Sequence, residues 1–313
     1  MSRPFTLLQL RYFVTTARLG NMTVAARELH MTQSALSSAM SQLESSMGSA
    51  LFRRIPRRGL ELTDAGLRLL DQCLPLIEEV DQLPAAVRGD EASMTGSLVV
   101  GVYEPLASQD LPRLLRDFSQ RHPAVDVHLL EGDQESTRLA LVEGLCELAL
   151  MYDMSIGGDL TYETLETLPA HVIVASDHPL ATRGVRRVSL HEVADEPLIL
   201  LDLPSTRDYI QDVFAAAGVS PKVRHRFRGY ETVRAFVGDG HGYAVLNRRL
   251  AHGYTHNGSS VTTLDIVETV PAVQVVLASR TGSRLTQRAR EFRALCYEYF
   301  AEHPAGTTAG TAE

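Results

Sequence analysis

Apolar positions recur at helical spacing in the first quarter of this chain and then give way to alternating strand-like and helix-like runs. Between residues 32 and 47, Leu36, Met40, Leu43 and Met47 step by four, three and four, the spacing of one buried helical stripe. The opposite face carries Gln33, Ser34, Ser37, Ser38 and Ser41, all short hydrogen-bonding side chains without charge. A solvated helix face ordinarily carries Lys and Glu, which hydrate well and pair at i,i+4. Short polar groups suit close approach to another surface. Gln can pair bidentately with adenine, and Ser can meet base edges or phosphates. The plain alternative is a small-residue helix packed on another helix, and the neighbouring elements favour DNA.

Upstream, Thr6 and Gln9 form a capping-box pattern that opens a helix with Leu10, Phe13, Val14 and Ala17 on its buried face. Gly20 fits its left-handed stop. A second helix is expected to start at Thr23, with Ala25, Ala26 and Leu29 as small inward residues. His30 and Met31 make the turn, and Thr32 caps the third helix. Two short helices joined by a tight turn make a helix-turn-helix. Gly48 ends the third helix, Leu51 and Phe52 pack back, and Arg53, Arg54, Arg57 and Arg58 flank a hairpin closing at 60–62. Such a wing neutralises phosphates or enters a narrow minor groove. A solvated charge run is the alternative.

Thr63 caps a further helix, where Leu69, Cys73, Leu76, Val80, Leu83 and Val87 form a heptad seam. Seams of this kind drive dimers, and a dimer presents two reading helices to two half-sites. Pro75 and Pro84 argue against a straight helix. Residues 91–97 read as a linker. Strands are predicted at 98–103, 125–130, 147–151, 172–175, 198–201, 223–227, 243–246 and 273–278. Helices are predicted at 111–121, 136–142, 206–217, 230–237 and 284–300. The alternation implies an α/β body with mostly parallel sheets and ligands at the carboxyl ends of strands. The boundaries expected are 1–63 for the head, 64–92 for the linker helix and 93–303 for the body. A second subdomain is expected at roughly 168–267, with a disordered tail from Pro304 to residue 313.

Charge reinforces this division. The chain of 313 residues has a formal net charge of −8. Residues 1–63 hold eight Arg against three acidic residues, a surplus of +5, so the remainder carries −13. A basic head on an acidic body is expected where one small domain meets phosphate. No apolar run approaches the roughly 20 residues of a membrane span, and the N-terminus lacks a signal peptide's apolar stretch. Cys73, Cys146 and Cys296 form no CxxC and read as thiols of a reducing compartment, so a cytoplasmic protein is expected.

Enzyme motifs are weak. The sequence has no GxSxG, P-loop or HExxH motif. The glycine-rich stretch 238–242 follows a predicted helix and precedes a strand, the reverse of the dinucleotide-binding order. His252 and His256 stand at helical metal-ligand spacing, but Gly253 and Gly258 point to a loop. The expectation is therefore no catalysis, no metal and no cofactor.

The combination of residues resembles the LysR-type transcriptional regulators, from Leu7 to about Phe300. The head carries Phe13, Ala25, Ala26, Leu29, Gln33, Ala35, Ser37, Leu43, Glu44, Gly48, Leu51, Phe52, Arg54, Leu62, Thr63, Ala65 and Gly66 at the family's spacing. The body matches at Gly101, Leu111, Pro112, Pro123, Leu141, Gly144, His178, Pro179, Leu180, Gly240, His241 and Gly242. This resemblance implies a winged helix-turn-helix, a linker dimerisation helix, and two α/β subdomains like those of periplasmic binding proteins. Positions matching the family's DNA readers are Thr23, Gln33, Ser34, Ser37, Ser38, Arg53, Arg54, Arg57 and Arg58. Many members have Pro where Ser34 stands and Arg near Ser38, so this helix lacks the usual cation.

The resemblance further implies a small-molecule effector held between the subdomains. The matching positions are Tyr103, Glu104, Pro105 and Leu106, then Asp133 and Gln134, then Asp202, Leu203, Pro204, Ser205 and Arg207. Pro105 replaces a common Ser or Thr whose hydroxyl helps hold carboxylates. With Glu104 and Asp202 adding negative charge, a simple anionic effector is disfavoured unless Arg207 or Arg228 compensates. The implied partners are double-stranded DNA, the effector, and other copies in a homodimer or homotetramer. RNA polymerase is a further candidate and membranes are not expected. The alternatives are a cytoplasmic solute-binding module without specific DNA binding, and an enzyme built on the α/β body.

Overall fold

Thr6 opens the first helix with both bonds of a capping box. Its hydroxyl accepts from Gln9 N at 3.2 Å, and Gln9 Oε1 accepts from Thr6 N at 2.9 Å. The computed structural model describes residues 5–55, 59–88, 94–154, 156–250 and 252–303. Arg57, Arg58, residues 91–93 of the expected 91–97 linker and the expected tail from residue 304 lie outside them. Helix α1 (Leu7–Leu19) ends at Gly20, whose φ of 57° is the left-handed stop. Helix α2 (Met22–Glu28) begins earlier than the expected start at Thr23. Asn21, a stronger cap than Thr, accepts from Thr23 N at 2.9 Å and Val24 N at 3.1 Å. Thr23 therefore sits in the first turn.

His30 makes the following turn at φ 53°, a left-handed backbone that His tolerates better than most side chains. Thr32 then caps α3 (Gln33–Met47), accepting from Ala35 N at 3.2 Å, and Gly48 closes it. Strands β1 (Phe52–Ile55) and β2 (Gly59–Leu62) pair antiparallel as the expected hairpin. The expected stripe is inward: Leu36, Met40 and Leu43 are buried with Leu10, Phe13, Ala25, Ala26 and Leu51, while Met47 is half-buried against them. The two alanines let α2 cross close to its neighbours.

Helix α4 (Asp64–Arg88) starts where Thr63 accepts from Gly66 N at 3.1 Å. It runs unbroken across Pro75 and Pro84, so the proline positions do not end it. The seam only partly follows the buried side. Leu70, Cys73 and Glu78 are buried, whereas Leu76, Leu83 and Val87 are exposed, Val87 at 86%.

The body follows as β3 (Gly96–Tyr103), α5 (Glu104–Ala107), α6 (Leu111–Arg121), β4 (Val125–Gly132), α7 (Gln134–Val142), β5 (Leu148–Tyr152) and β6 (Leu160–Leu168). Next come β7 (His171–Ala175), α8 (Pro179–Thr182), β8 (Arg187–Val188), α9 (Leu190–Val193), β9 (Pro197–Leu201) and α10 (Pro204–Ala216). The chain continues with β10 (Lys222–Phe227), α11 (Tyr230–Gly238), β11 (Ala244–Leu246), β12 (Val261–Ile266), β13 (Val273–Arg280) and α12 (Gln287–Glu302). Two units result. The first comprises Met1–Met151, Gly157–Tyr162 and Leu277–Cys296; the second comprises Tyr152–Ile156, Glu163–Val276 and Tyr297–Glu313.

One five-stranded sheet has the order β4-β3-β5-β13-β6, with β3 parallel to both β4 and β5. In the second unit a four-stranded sheet has the order β11-β7-β12-β8. Here β7 is antiparallel to β11 and β12, so the expectation of mostly parallel sheets is corrected to mixed ones. Strands β6, β8 and β12 were not predicted. β6 is an edge strand with a largely exposed, polar surface, and β8 is only two residues long. The missed β12 reads Val-Thr-Thr-Leu, a β-branched signal masked by two adjacent polar residues.

Glu78 ties α4 to the body within the first unit. Its carboxylate accepts from Gln287 N at 2.5 Å and Arg288 N at 3.0 Å, at the start of α12. Thr286 is buried and accepts from Ala289 N, so the helix starts after Thr286 rather than at the expected residue 284. Asp71 of α4 is ion-paired with Arg280. The second unit has its own buried ion pair, Arg248 to Glu166 at 2.8 Å.

His171, at the start of β7, is 1% exposed and its Nδ1 finds no hydrogen-bond partner. Burial lowers its pKa from 6.5 to about 3, with the nearby Arg249 charge acting in the same direction. A folded form that binds fewer protons gains stability as pH rises, fully so above 6.5, and loses it as pH falls toward 3. The urea midpoint of the second unit is expected to drop between pH 7 and pH 5, above the main carboxylate range. The variant His171→Gln should flatten that slope; an equal slope in both proteins would contradict this account.

Candidate DNA-binding surface and effector-binding residues

Three of the head's nine predicted contacts share one concavity. Thr23 from α2, Gln33 from α3 and Arg54 from β1 line a groove of about 410 Å³, together with Asn21, Ile55 and Leu60. The groove has a fixed outline. Leu60 N donates to Gly20 O at 2.7 Å, joining wing to the α1–α2 turn. Gly59 has φ 96°, and a Cβ there would lie 2.5 Å from Gly20 O. Only glycine fits that approach. Along α3, Gln33, Ser34 and Ser38 are exposed and Ser37 is half-buried. Ser34 Oγ lies 3.1 Å from the capping Thr32 hydroxyl, so among the four predicted readers of α3 it is the one engaged at the helix start.

The wing arginines differ. Arg53 faces Glu61 across the hairpin and pairs with it at 3.1 Å. Arg54 is exposed and has no ion pair among the described residues. Within the head, Arg11 pairs with Asp81 and Arg18 with Glu28, and Arg27 of α2 is exposed with no ion pair among the described residues. Sequence reasoning passed over Arg27, Asn21 and Glu44. For Asn21 the signal existed in its cap preference. Glu44 accepts from Leu51 N at 2.8 Å and Phe52 N at 3.3 Å, fixing where the wing leaves α3. No local pattern marks that contact.

In the first unit, strands β3 and β4 end in register at Tyr103 and Gly132. Two predicted effector segments, 103–106 and 133–134, therefore meet at the carboxyl ends of adjacent strands. β3 lies between β4 and β5, so this is also where strand order reverses, the usual ligand position in open α/β sheets. Tyr103, Pro105 and Leu106 are buried, whereas Glu104 is exposed. Asp133 caps α7, accepting from Ser136 N at 2.9 Å, and Gln134 is buried.

In the second unit, Asp202, Ser205 and Arg207 gather at the carboxyl end of β9 and the first turn of α10. Asp202 pairs with Arg207 at 2.5 Å and lies 3.8 Å from Arg226. Its charge is therefore compensated by Arg207, as the sequence allowed, and additionally by Arg226, which was not foreseen. Leu203 is buried, and Pro204 occupies the first turn of α10.

A winged reading head and a body whose strand ends gather polar side chains are matched by two family models. The "Bacterial regulatory helix-turn-helix protein, lysR family" model covers residues 7–67, and the "LysR substrate binding domain" model covers residues 91–301. The chain belongs to the LysR family. It is a DNA-binding transcriptional regulator with an effector-binding domain, not an enzyme. It is 31% identical over 302 residues to the HTH-type transcriptional regulator CfxR of Cupriavidus necator, covering 96% of this chain and 93% of that protein. The crystal structure of HinK, a LysR family regulator from Pseudomonas aeruginosa, is 29% identical with a TM-score of 0.62, covering 95% of this chain and 99% of that one. A full-length OxyR variant from Pseudomonas aeruginosa shares the fold, with a TM-score of 0.69 at 22% identity and 95% of both chains covered.

The 238–242 stretch ends α11 and leads into β11, and His252 and His256 lie in a loop. Cys73, Cys146 and Cys296 are buried free thiols, and desolvation pushes Cys73 up to about 11 and Cys146 up to about 12. Among the described residues, no helix is long and apolar enough to cross a membrane.

Removing the Glu44 carboxylate leaves two backbone N–H groups at the start of the wing without their acceptor. Glu44→Ala is expected to destabilise the head by roughly 1–3 kcal/mol. Amide exchange at Leu51 and Phe52 should accelerate more than exchange in the middle of α1. Uniform acceleration across the head, or none, would count against the contact.

Proposed function

We propose that this regulator reads its operator with Gln33, Ser37 and Ser38 on α3, aided by Ser34 and Thr23, and takes its phosphate affinity from the wing. The observation that carries this reading is the single groove shared by Thr23, Gln33 and Arg54. An uncharged reading face contributes little counterion release, so Arg54, Arg57, Arg58 and, through a pair with Glu61 that can be exchanged, Arg53 supply the salt-dependent part. Arg27 adds to it.

The exposed apolar side chains Leu76, Leu83 and Val87 support pairing of α4 with a second copy, giving a homodimer or, by further association, a homotetramer. Two reading helices then address two half-sites. The effector is a small molecule; the candidate contacts in the first unit are Glu104, Asp133 and Gln134 beside Tyr103, Pro105 and Leu106, and those in the second unit are Asp202, Ser205 and Arg207. The pairing of Asp202 with Arg207 and Arg226 leaves an arginine-rich rim, which suits an effector with a polar or anionic end. The protein acts in the cytoplasm on double-stranded DNA, with RNA polymerase as a further candidate partner.

Footprinting and gel shifts on the promoter beside its own gene test this reading. Gln33→Ala should weaken specific binding by about 1–3 kcal/mol while leaving random-sequence DNA unaffected. Arg54→Ala should weaken both and lower the slope of log K against log salt by about 0.9. Unchanged binding in both variants would refute the assignment of the groove.

A further inference from the structure

A second cavity, of about 390 Å³, lies inside the first unit where the head, the linker helix and the body meet. Val14 of α1, Leu74 and Ile77 of α4, and Leu145 of the body give it apolar walls. Its size is that of a small-molecule pocket. None of the predicted effector residues lines it.

Its charges are already matched. Arg11 pairs with Asp81, Arg18 with Glu28, and Arg288 with Glu78. The remaining charged group in the lining, Glu147, accepts from Thr286 N at 3.1 Å. Desolvation holds its carboxyl above the ordinary range, which favours the neutral form. The buried Arg288 Nε has no hydrogen-bond partner, although Glu78 3.5 Å away offsets its charge. The other unmatched groups are neutral: the hydroxyls of Thr15, on the head side, and Ser97, on the body side, have no hydrogen-bond partner among the described residues.

We propose that this cavity is a second ligand site, for a small, uncharged and mainly apolar molecule bearing a carbonyl or hydroxyl group. A charged ligand would have to break an existing ion pair or stay unpaired in a partly desolvated space. A neutral one buries its apolar part against Val14, Leu74, Ile77 and Leu145 and meets the two free hydroxyls. Because α1 belongs to the head and Ser97 to β3, an occupant bridges the two.

The test uses the full chain and prodan (6-propionyl-2-dimethylaminonaphthalene), an uncharged aromatic ketone with environment-sensitive emission. Saturable binding with blue-shifted emission is expected, and 2-naphthoate should compete about tenfold more weakly than the uncharged 2-acetylnaphthalene. Val14→Trp and Leu145→Trp fill the space from the head and body sides, and each should weaken prodan by about tenfold or more. Thr15→Val and Ser97→Ala, which remove only hydroxyls, should each weaken it about threefold and serve as the decisive pair if either Trp variant fails to fold by circular dichroism. Absence of saturable prodan binding overturns the proposal. So does equal affinity across the folded variants, or equal competition by the two naphthalenes. Operator binding is measured separately, so failure here leaves the reading of the DNA groove untouched.

Discussion

A buried carboxylate fixes the position of the linker helix in this regulator. Glu78 is 3% exposed, and an unpaired charge at that depth is strongly unfavourable. It is made tolerable by two backbone N–H groups at the start of α12 and by the Arg288 guanidinium 3.5 Å away. The same contact supplies α12 with an anion at the positive end of its dipole. Neither partner can slide by one residue without losing this match. Helix α4 is thereby held in register on the body, and the head, which shares its core with α4 through Leu70 and Cys73, inherits that placement.

The reading head depends on local chemistry to an unusual degree. Caps at Thr6, Asn21, Thr32 and Thr63 set four helix starts, and glycines at 20 and 48 set two stops. These are short-range interactions between residues a few positions apart, which is why Thr6, Thr32, Thr63 and both glycines were legible, whereas Asn21 was passed over for the neighbouring Thr23. The stripe of Leu36, Met40 and Leu43 was equally readable, because burial of one helix face imposes its own period. The body's parallel strands around β3 were legible as apolar runs for the same reason.

Most illegible contacts have partners beyond the reach of helical or capping spacing. Glu44 and Glu78 look like ordinary surface acids until folding brings N–H groups to them, seven and eight positions on for Glu44 and more than two hundred for Glu78. Arg53 and Arg54 are neighbours of identical type, yet the hairpin register gives one of them Glu61 and leaves the other open. Asp202 reads as a free charge, but Arg226 reaches it from the adjacent strand β10, 24 positions later in the numbering. The edge strand β6 stayed hidden because a largely solvent-facing strand does not need an apolar alternation.

The bond from Leu60 N to Gly20 O has a consequence for how such a head could evolve and be controlled. With no room for a side chain at Gly59 and Leu60 N bonded to Gly20 O, the base of the wing is fastened to the helical core. On the proposed reading of the groove, a tilt delivered through α4 alters base contacts and phosphate contacts in the same stroke. Grip and discrimination cannot be traded against each other by bending the head. They can be separated only by changing side chains on its face, where the short serines of α3 can be exchanged one at a time without disturbing the frame that carries them.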